Sequence, residues 1–227
     1  MTLLQRFHPA ALARCLPFAV FMALLGLRGA LPEGLQGLDP RWIYGLGVLV
    51  VGGLLLHYRR EYGELSRQNL PDASEWLISL GVGVLVFVLW IKLDAPWMQL
   101  GTPTASFVPL DAQGGLIWPL VVMRLLGAAL LVPVMEELFW RSFLMRWIAQ
   151  PQFQTVAPRD AGLKALVLST FIFMLAHTLW LAAIVAGLAY ALLYMRTGKL
   201  WTAVIAHAVT NGALGLWVIR TGNWQFW

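Results

Sequence analysis

The chain has 227 residues, 59% of them hydrophobic and 12% charged, with a formal net charge of +5. Its mean hydropathy is +0.72 and its isoelectric point is near 9.8. Water-soluble domains carry about 25% charged and about 45–50% apolar residues, and a chain this short has too small an interior to hide the excess from water. Disorder, collagen-like fibres, coiled coils and disulfide-stapled secreted domains are excluded on the same figures. The expected solvent is a bilayer, with the basic residues in its loops rather than on nucleic acid. Cys15 is the single cysteine, so no intrachain disulfide forms.

A spanning helix needs about 20 mostly apolar residues. Candidates run, in chain order, near 13–28, 42–57, 76–92, 125–145, 164–178, 180–196 and 201–219. The expected fold is an all-α polytopic membrane bundle of about seven transmembrane helices. An eighth is allowed because 116–123 is apolar too, leading into the fourth span along the interface or as a tilted extension. Turn chemistry marks the connections at Leu31-Pro32-Glu33-Gly34, at Leu70-Pro71-Asp72, across Gly101 to Gly115, from Gln150-Pro151 through Pro158, and at Arg196-Thr197-Gly198-Lys199. No repeat and no soluble domain stands out, so 1–227 reads as one integral-membrane domain. Within it 1–100 supplies accessory helices.

Arg6 and Arg14 precede the apolar run Cys15–Leu27, as in a signal peptide. The run ends in a charge, Arg28, where a small-residue cleavage site would lie, so a retained first helix is expected. With the N-terminus in the cytoplasm and seven spans, the inner side holds ten basic residues: Arg6, Arg14, Arg59, Arg60, Arg67, Arg146, Arg159, Lys164, Arg196 and Lys199. The outer side holds five: Arg28, Arg41, Lys92, Arg124 and Arg220. That imbalance favours a cytoplasmic N-terminus.

An ionisable group inside a bilayer costs about 2.5–3.5 kcal/mol on insertion scales and is a functional hypothesis by default. All such groups are expected in the second half of the chain. The first set is Glu136, Glu137 and Arg141, in an apolar stretch bounded by Arg124 and Arg146. Adjacent helical residues point about 100° apart, so the two glutamates cannot do the same job. Glu137 and Arg141 stand at i, i+4 in the favourable order for an ion pair, which leaves Glu136 facing elsewhere. Pro133 removes a backbone donor three residues before Glu136. The bland alternative is a helix ending at the membrane surface, or an amphipathic surface helix.

The second set is Phe173 and His177, one helix turn apart at the close of an apolar helix. The third is His207 and Asn211, sharing one face of the last helix. Either histidine alone would serve as a helix–helix hydrogen bond, while His8 and His57 lie in flanks. The helices near 164–178 and 180–196 are short: fourteen residues cover about 21 Å of a core about 30 Å thick. Their shared turn at Ala176-His177-Thr178-Leu179-Trp180 is therefore expected part-way through the membrane, where Glu136 and His207 also fall. Irregular backbone is tolerated there only when buried or lining a wet cavity.

With no thiol or activated serine among these residues, water activation is the simplest chemistry. Glu136 is the candidate general base, His177 shares or relays the proton, and His207 and Asn211 offer donors for an oxyanion. In the alternative, Glu136, His177 and His207 ligate zinc and leave a fourth position for water. The same residues serve both schemes. No His-Glu-x-x-His stands on one helix, so the metal-free scheme, without cofactor, is preferred. Cys15 reads as structural, Arg124 as an interfacial anchor, and Trp201, Trp217, Trp224 and Trp227 as interface-belt residues.

The ordered set Glu136-Glu137-x-x-x-Arg141, Phe173-x-x-x-His177 and His207-x-x-x-Asn211, with Arg196-Thr197-Gly198 before the last, resembles the three motifs of the CAAX-protease and bacteriocin-processing family of intramembrane proteases. The resemblance covers about 116–219 as the core. It implies that Glu136 and His177 activate water, that His207 and Asn211 hold the oxyanion, and that Glu137 and Arg141 support the site. Eukaryotic members of that family cleave the C-terminal tripeptide of prenylated proteins; bacterial members are less uniform. The run Leu138-Phe139-Trp140-Arg141-Ser142-Phe143-Leu144-Met145-Arg146-Trp147 and the closing Trp224-Gln225-Phe226-Trp227 resemble the bacterial members found with exosortase sorting systems, which implies a link to such a system. Ser142 stands where many members have glycine. The expected partners are the bilayer and a membrane-associated protein or peptide substrate. Competing readings are a non-catalytic scaffold or immunity protein and a proton-relay transporter; the chain shows no inverted repeat to favour the latter.

Overall fold

A computed structural model describes residues 9–31, 37, 39–101 and 107–227. Arg6, His8, the turn residues Pro32, Glu33 and Gly34, and positions 102–106 of the third connection lie outside the described residues. The long helices are α1 (Pro9–Ala30), α2 (Trp42–His57), α3 (Ala73–Lys92), α4 (Trp118–Ala149), α5 (Gly162–Leu175), α6 (Trp180–Thr197) and α7 (Leu200–Thr221). The only extended pairing among the described residues is one bridge, Leu110 to Leu116. The chain is an all-α polytopic bundle and an integral membrane protein.

Five of these helices, α1, α3, α4, α6 and α7, are long and apolar enough to cross a membrane, while α2 and α5 are shorter apolar helices. All seven expected helices form, five of them with the length of a full crossing. Sixteen and fourteen residues reach only about 24 and 21 Å at 1.5 Å per residue. The 116–123 stretch forms no separate crossing; it is the first part of the continuous 32-residue α4.

Local chemistry sets the ends. Asp72 caps α3 by accepting from Ser74 N and Glu75 N, both 2.9 Å, and Glu75 Oε2 accepts from Asp72 N at 2.8 Å. This reciprocal arrangement satisfies two orphan donors. The Ser74 hydroxyl, donating to Asp72 Oδ1 at 2.7 Å, and then these backbone bonds hold the exposed Asp72 carboxyl below the usual carboxylate range. Gly198 ends α6 at φ +73°, a left-handed cap that suits glycine, and the chain turns at once into α7.

α4 is not a uniform helix. Gly127–Leu131 and Leu138–Met145 are π-helical, on either side of an α-helical segment Val132–Glu137. Pro133 explains the first. Val132 N donates five residues back to Gly127 O, so Ala128 O would next look to residue 133, which has no N–H. Such π segments are frequent at functional sites.

α7 is the central helix and packs most extensively on α3. Gly83 allows the approach: a Cβ there would lie 2.5 Å from Ala206 O and 2.7 Å from Val209 Cβ. Thr210 Oγ1 closes the contact by bonding Gly83 O at 2.9 Å and Ala206 O at 3.0 Å.

Buried charge is not confined to the second half of the chain, contrary to the sequence expectation. Arg14 is 3% exposed. It pairs with Glu64 at 2.7 Å and donates to Ser142 Oγ at 3.0 Å, Ala10 O at 2.8 Å and Glu61 O at 2.9 Å. Ser142 also bonds Glu64 Oε1. The hydroxyl that replaces glycine thus serves a polar plug at the end of the bundle where α1 begins. Tyr62 joins it, donating to Ala13 O at 2.7 Å, and burial pushes its phenol well up.

Candidate active site

A cavity of about 450 Å³ opens between α1, α4, α6 and α7. Glu136 and Trp140 line it from α4, Phe173 and His177 from the end of α5, Tyr190 from α6, and His207, Thr210 and Asn211 from α7; Phe18, Phe21 and Met22 of α1 supply an apolar wall. Four polar residues far apart in sequence therefore face one hollow.

The two glutamates diverge as helix geometry requires. Glu136 is half-buried and makes no hydrogen bond among the described residues; its charge acts on His177, Tyr44 and Tyr190. Glu137 is fully buried and turned away from the cavity. Arg141 Nε stands 3.1 Å from Glu137 Oε2, the i, i+4 ion pair. The approach is out of line for a hydrogen bond, so the contact is one of charge. Arg141 is further held by its Cζ lying 4.8 Å from the Phe173 ring centroid and 5.5 Å from that of Tyr190, and by Nη2 donating to Gly187 O at 3.3 Å.

Reasoning within single helices missed the bond that joins the motifs. His207 Nδ1 lies 2.9 Å from Glu137 Oε1, so one carboxylate serves Arg141 on its own helix and His207 on another. The His207 ring stacks on Tyr190, 4.9 Å between centroids and 16° between planes, and Tyr190 Oη donates to Thr210 Oγ1 at 2.7 Å. The only sequence signal for Tyr190 was a tyrosine inside an otherwise apolar helix.

His177 sits in the turn after α5, where Nδ1 donates to Phe173 O at 2.8 Å. A carbonyl only accepts, so Nδ1 carries the proton, and Nε2 has no hydrogen bond among the described residues. Phe173 packs on the same imidazole with centroids 4.4 Å apart, and Trp90 of α3 meets its edge at 5.7 Å. Phe173 therefore lies between Arg141 and His177. Asn211 Nδ2 donates to Ala128 O at 2.9 Å, taking up the carbonyl that Pro133 orphans and keeping one amide hydrogen in reserve.

Farther out, Arg124 stacks over Tyr44 at 4.3 Å and Phe107 at 5.4 Å, and Arg28 over Phe107 at 5.2 Å. Arg124 is a cavity-wall residue rather than a free lipid anchor. Trp227, expected in the interface belt, is 7% exposed and also lines the cavity. Cys15 is half-buried and stands apart from this set. Among the described residues no three His, Cys, Asp or Glu side chains group as metal ligands.

Residues 118–213 match the family model of type II CAAX prenyl endopeptidase, Rce1-like. No curated protein and no solved structure matches the chain significantly. The matched segment begins with α4 and ends two residues after Asn211, so it spans Glu136, Glu137, Arg141, Phe173, His177, His207 and Asn211. Across these residues the chain is similar to Rce1-like CAAX prenyl endopeptidases, which are proteases.

Proposed function

We propose that the protein is an intramembrane endopeptidase that hydrolyses a peptide bond of a membrane-associated protein with water activated by Glu136 and His177. The observation that carries this reading is the facing of Glu136, His177, His207 and Asn211 into one cavity within the bundle. Glu136, without a hydrogen-bonding partner, takes the proton of a water held in the hollow, and His177 accepts or passes it through Nε2. His207 and Asn211 supply the oxyanion donors.

His207 lines the cavity with Nδ1 held 2.9 Å from Glu137 Oε1, which leaves Nε2 as the ring nitrogen toward the hollow. The free amide hydrogen of Asn211 is the second donor. Phe173, Glu137 and Arg141 position these groups.

Glu136, His177 and His207 do not group as metal ligands among the described residues, although each imidazole has the Nδ1 bond to a carbonyl or carboxylate that a zinc-bound histidine also makes; the proposed scheme routes no step through a metal. The basic-residue imbalance supports a cytoplasmic N-terminus, and the placement in a bacterial inner membrane rests on the resemblance to bacterial members alone. The exosortase link rests on the aromatic run after Glu137 and the closing Trp224–Trp227 alone; the matched family segment adds nothing to it.

The test compares membranes from cells producing the wild type or Glu136→Gln by mass spectrometry of labelled neo-N-termini. Peptides present only with the wild type are expected, while the variant accumulates and unfolds as the wild type does. Identical neo-N-termini would refute water activation by Glu136. Lost stability together with lost cleavage would favour the scaffold reading.

A further inference from the structure

The cavity belongs to one end of the bundle. Its outer lining comes from the second half of α1 (Leu25), the start of α2 (Tyr44), the end of α3 (Trp90), the start of α4 (Arg124), the α5–α6 turn (Thr178) and the segment after α7 (Gln225). In an alternating bundle these positions share the face opposite the start of α1. Two hydrogen bonds tie that face together: Leu100 N donates to Thr178 O at 2.7 Å, and Trp180 Nε1 to Trp97 O at 3.1 Å.

The other end is shut off from this cavity and holds a separate hollow of about 380 Å³, lined by Arg59, Arg60, Tyr62 and Val134 among others and by none of Glu136, His177, His207 and Asn211. Below Glu136 the packing is solid, with Leu138, Met145, Tyr194 and Leu200 each no more than 2% exposed. Beneath them lies the Arg14–Glu64–Ser142 plug. No residue of that end lines the cavity.

The two faces differ in charge. The closed face holds nine of its ten basic residues within the described chain, Arg6 being outside it, against five on the cavity face. Three of those five are engaged on their own face: Arg41 pairs with Asp39 at 2.7 Å, and Arg28 and Arg124 lie over aromatic rings. Lysine and arginine excess marks the cytoplasmic side of short-looped membrane proteins.

We propose that the cavity opens on the extracytoplasmic face of the membrane, so that its substrate is a membrane-anchored segment presented outside the cytoplasm. The word substrate rests on the protease reading; the direction of opening does not. A cytosolic protein tail cannot reach Glu136 by this mouth, whereas a segment on the far side of the membrane enters past Arg124 and Thr178 with the apolar wall of α1 beside it.

Single cysteines introduced into a Cys15→Ser background test this in intact spheroplasts with a membrane-impermeant maleimide. Gln113→Cys reports the cavity face, Thr178→Cys the mouth and Arg159→Cys the closed face; all three positions are exposed. Gln113→Cys and Thr178→Cys should label fully in intact spheroplasts, and Arg159→Cys only after permeabilisation. The reverse pattern overturns the proposal, as does labelling of both faces in intact cells. Labelling of Gln113→Cys without Thr178→Cys overturns it too, because the mouth would then be shut to that side. Each variant is first checked for wild-type thermal unfolding. The readout needs no activity, so its failure leaves the protease reading standing, and normal cleavage by Glu136→Gln sinks that reading while leaving the orientation.

Discussion

Replacing Glu137 with glutamine keeps the shape of the side chain and removes one negative charge from a fully buried position. Arg141, 3% exposed, is then left without its counter-charge 3.1 Å away. At that separation and an effective dielectric near 20, the attraction before desolvation is about 5 kcal/mol. Removing one partner of a buried pair typically costs about 3–5 kcal/mol, because the other charge stays behind unpaired. The amide oxygen of glutamine still accepts from His207 Nδ1, so the expected loss is at the lower end, about 3 kcal/mol. The double variant Glu137→Gln/Arg141→Met removes both charges from the pair and should recover much of it, a coupling of about 2 kcal/mol. Equilibrium unfolding in mixed micelles on the wild type, both single variants and the double variant measures the cycle. A single-variant loss below about 1 kcal/mol, the range of solvent-exposed pairs, or plain additivity would refute the view that Glu137 and Arg141 act as one buried unit.

Asn211→Ala should destabilise the bundle by about 1–3 kcal/mol, the cost of leaving the Ala128 carbonyl unpaired. Asn211→Asp should cost at least as much, because a carboxylate faces a carbonyl without a donor; unfolding of the Asp variant at the wild-type midpoint would show that the amide is not the donor. At the start of α3, Asp72 has a depressed carboxyl, so its contribution is present above the ordinary aspartate pKa and is lost as pH falls through the lower folded value. The protection of the Ser74 and Glu75 amides, measured against the intrinsic exchange rate at each pH, should fall in acid in the wild type, and Asp72→Ala should show low protection with no such acid transition. Equal acid sensitivity in both proteins would refute the capping account.

Much of the fold was legible because the bilayer imposes length and hydropathy on any crossing. The seven apolar stretches became seven helices, and the i, i+4 spacing of Glu137 and Arg141 became an ion pair because one helix fixes both positions. The charge of Arg14 looked like a flank because sequence places it near the N-terminus. Its partners Glu64 and Ser142 come from the second connection and the fourth helix, and nothing local announces them. Helix length also resisted reading: apolar runs show where a span is allowed, while the turns at His57 and Leu175 decide that α2 and α5 stop short.

Sequence by itself determined the solvent, the helical class and the residue types able to move a proton, because composition and one-helix periodicity are local properties. Only the tertiary structure decided that Glu137 belongs to His207 as well as Arg141, that Asn211 answers the carbonyl left by Pro133, and that the polar hollow is lined from one end of the bundle while a buried arginine sits at the other. Each of those depends on which helices lie side by side, and helix neighbours are chosen by close approaches such as Gly83 against Ala206 rather than by any spacing along the chain.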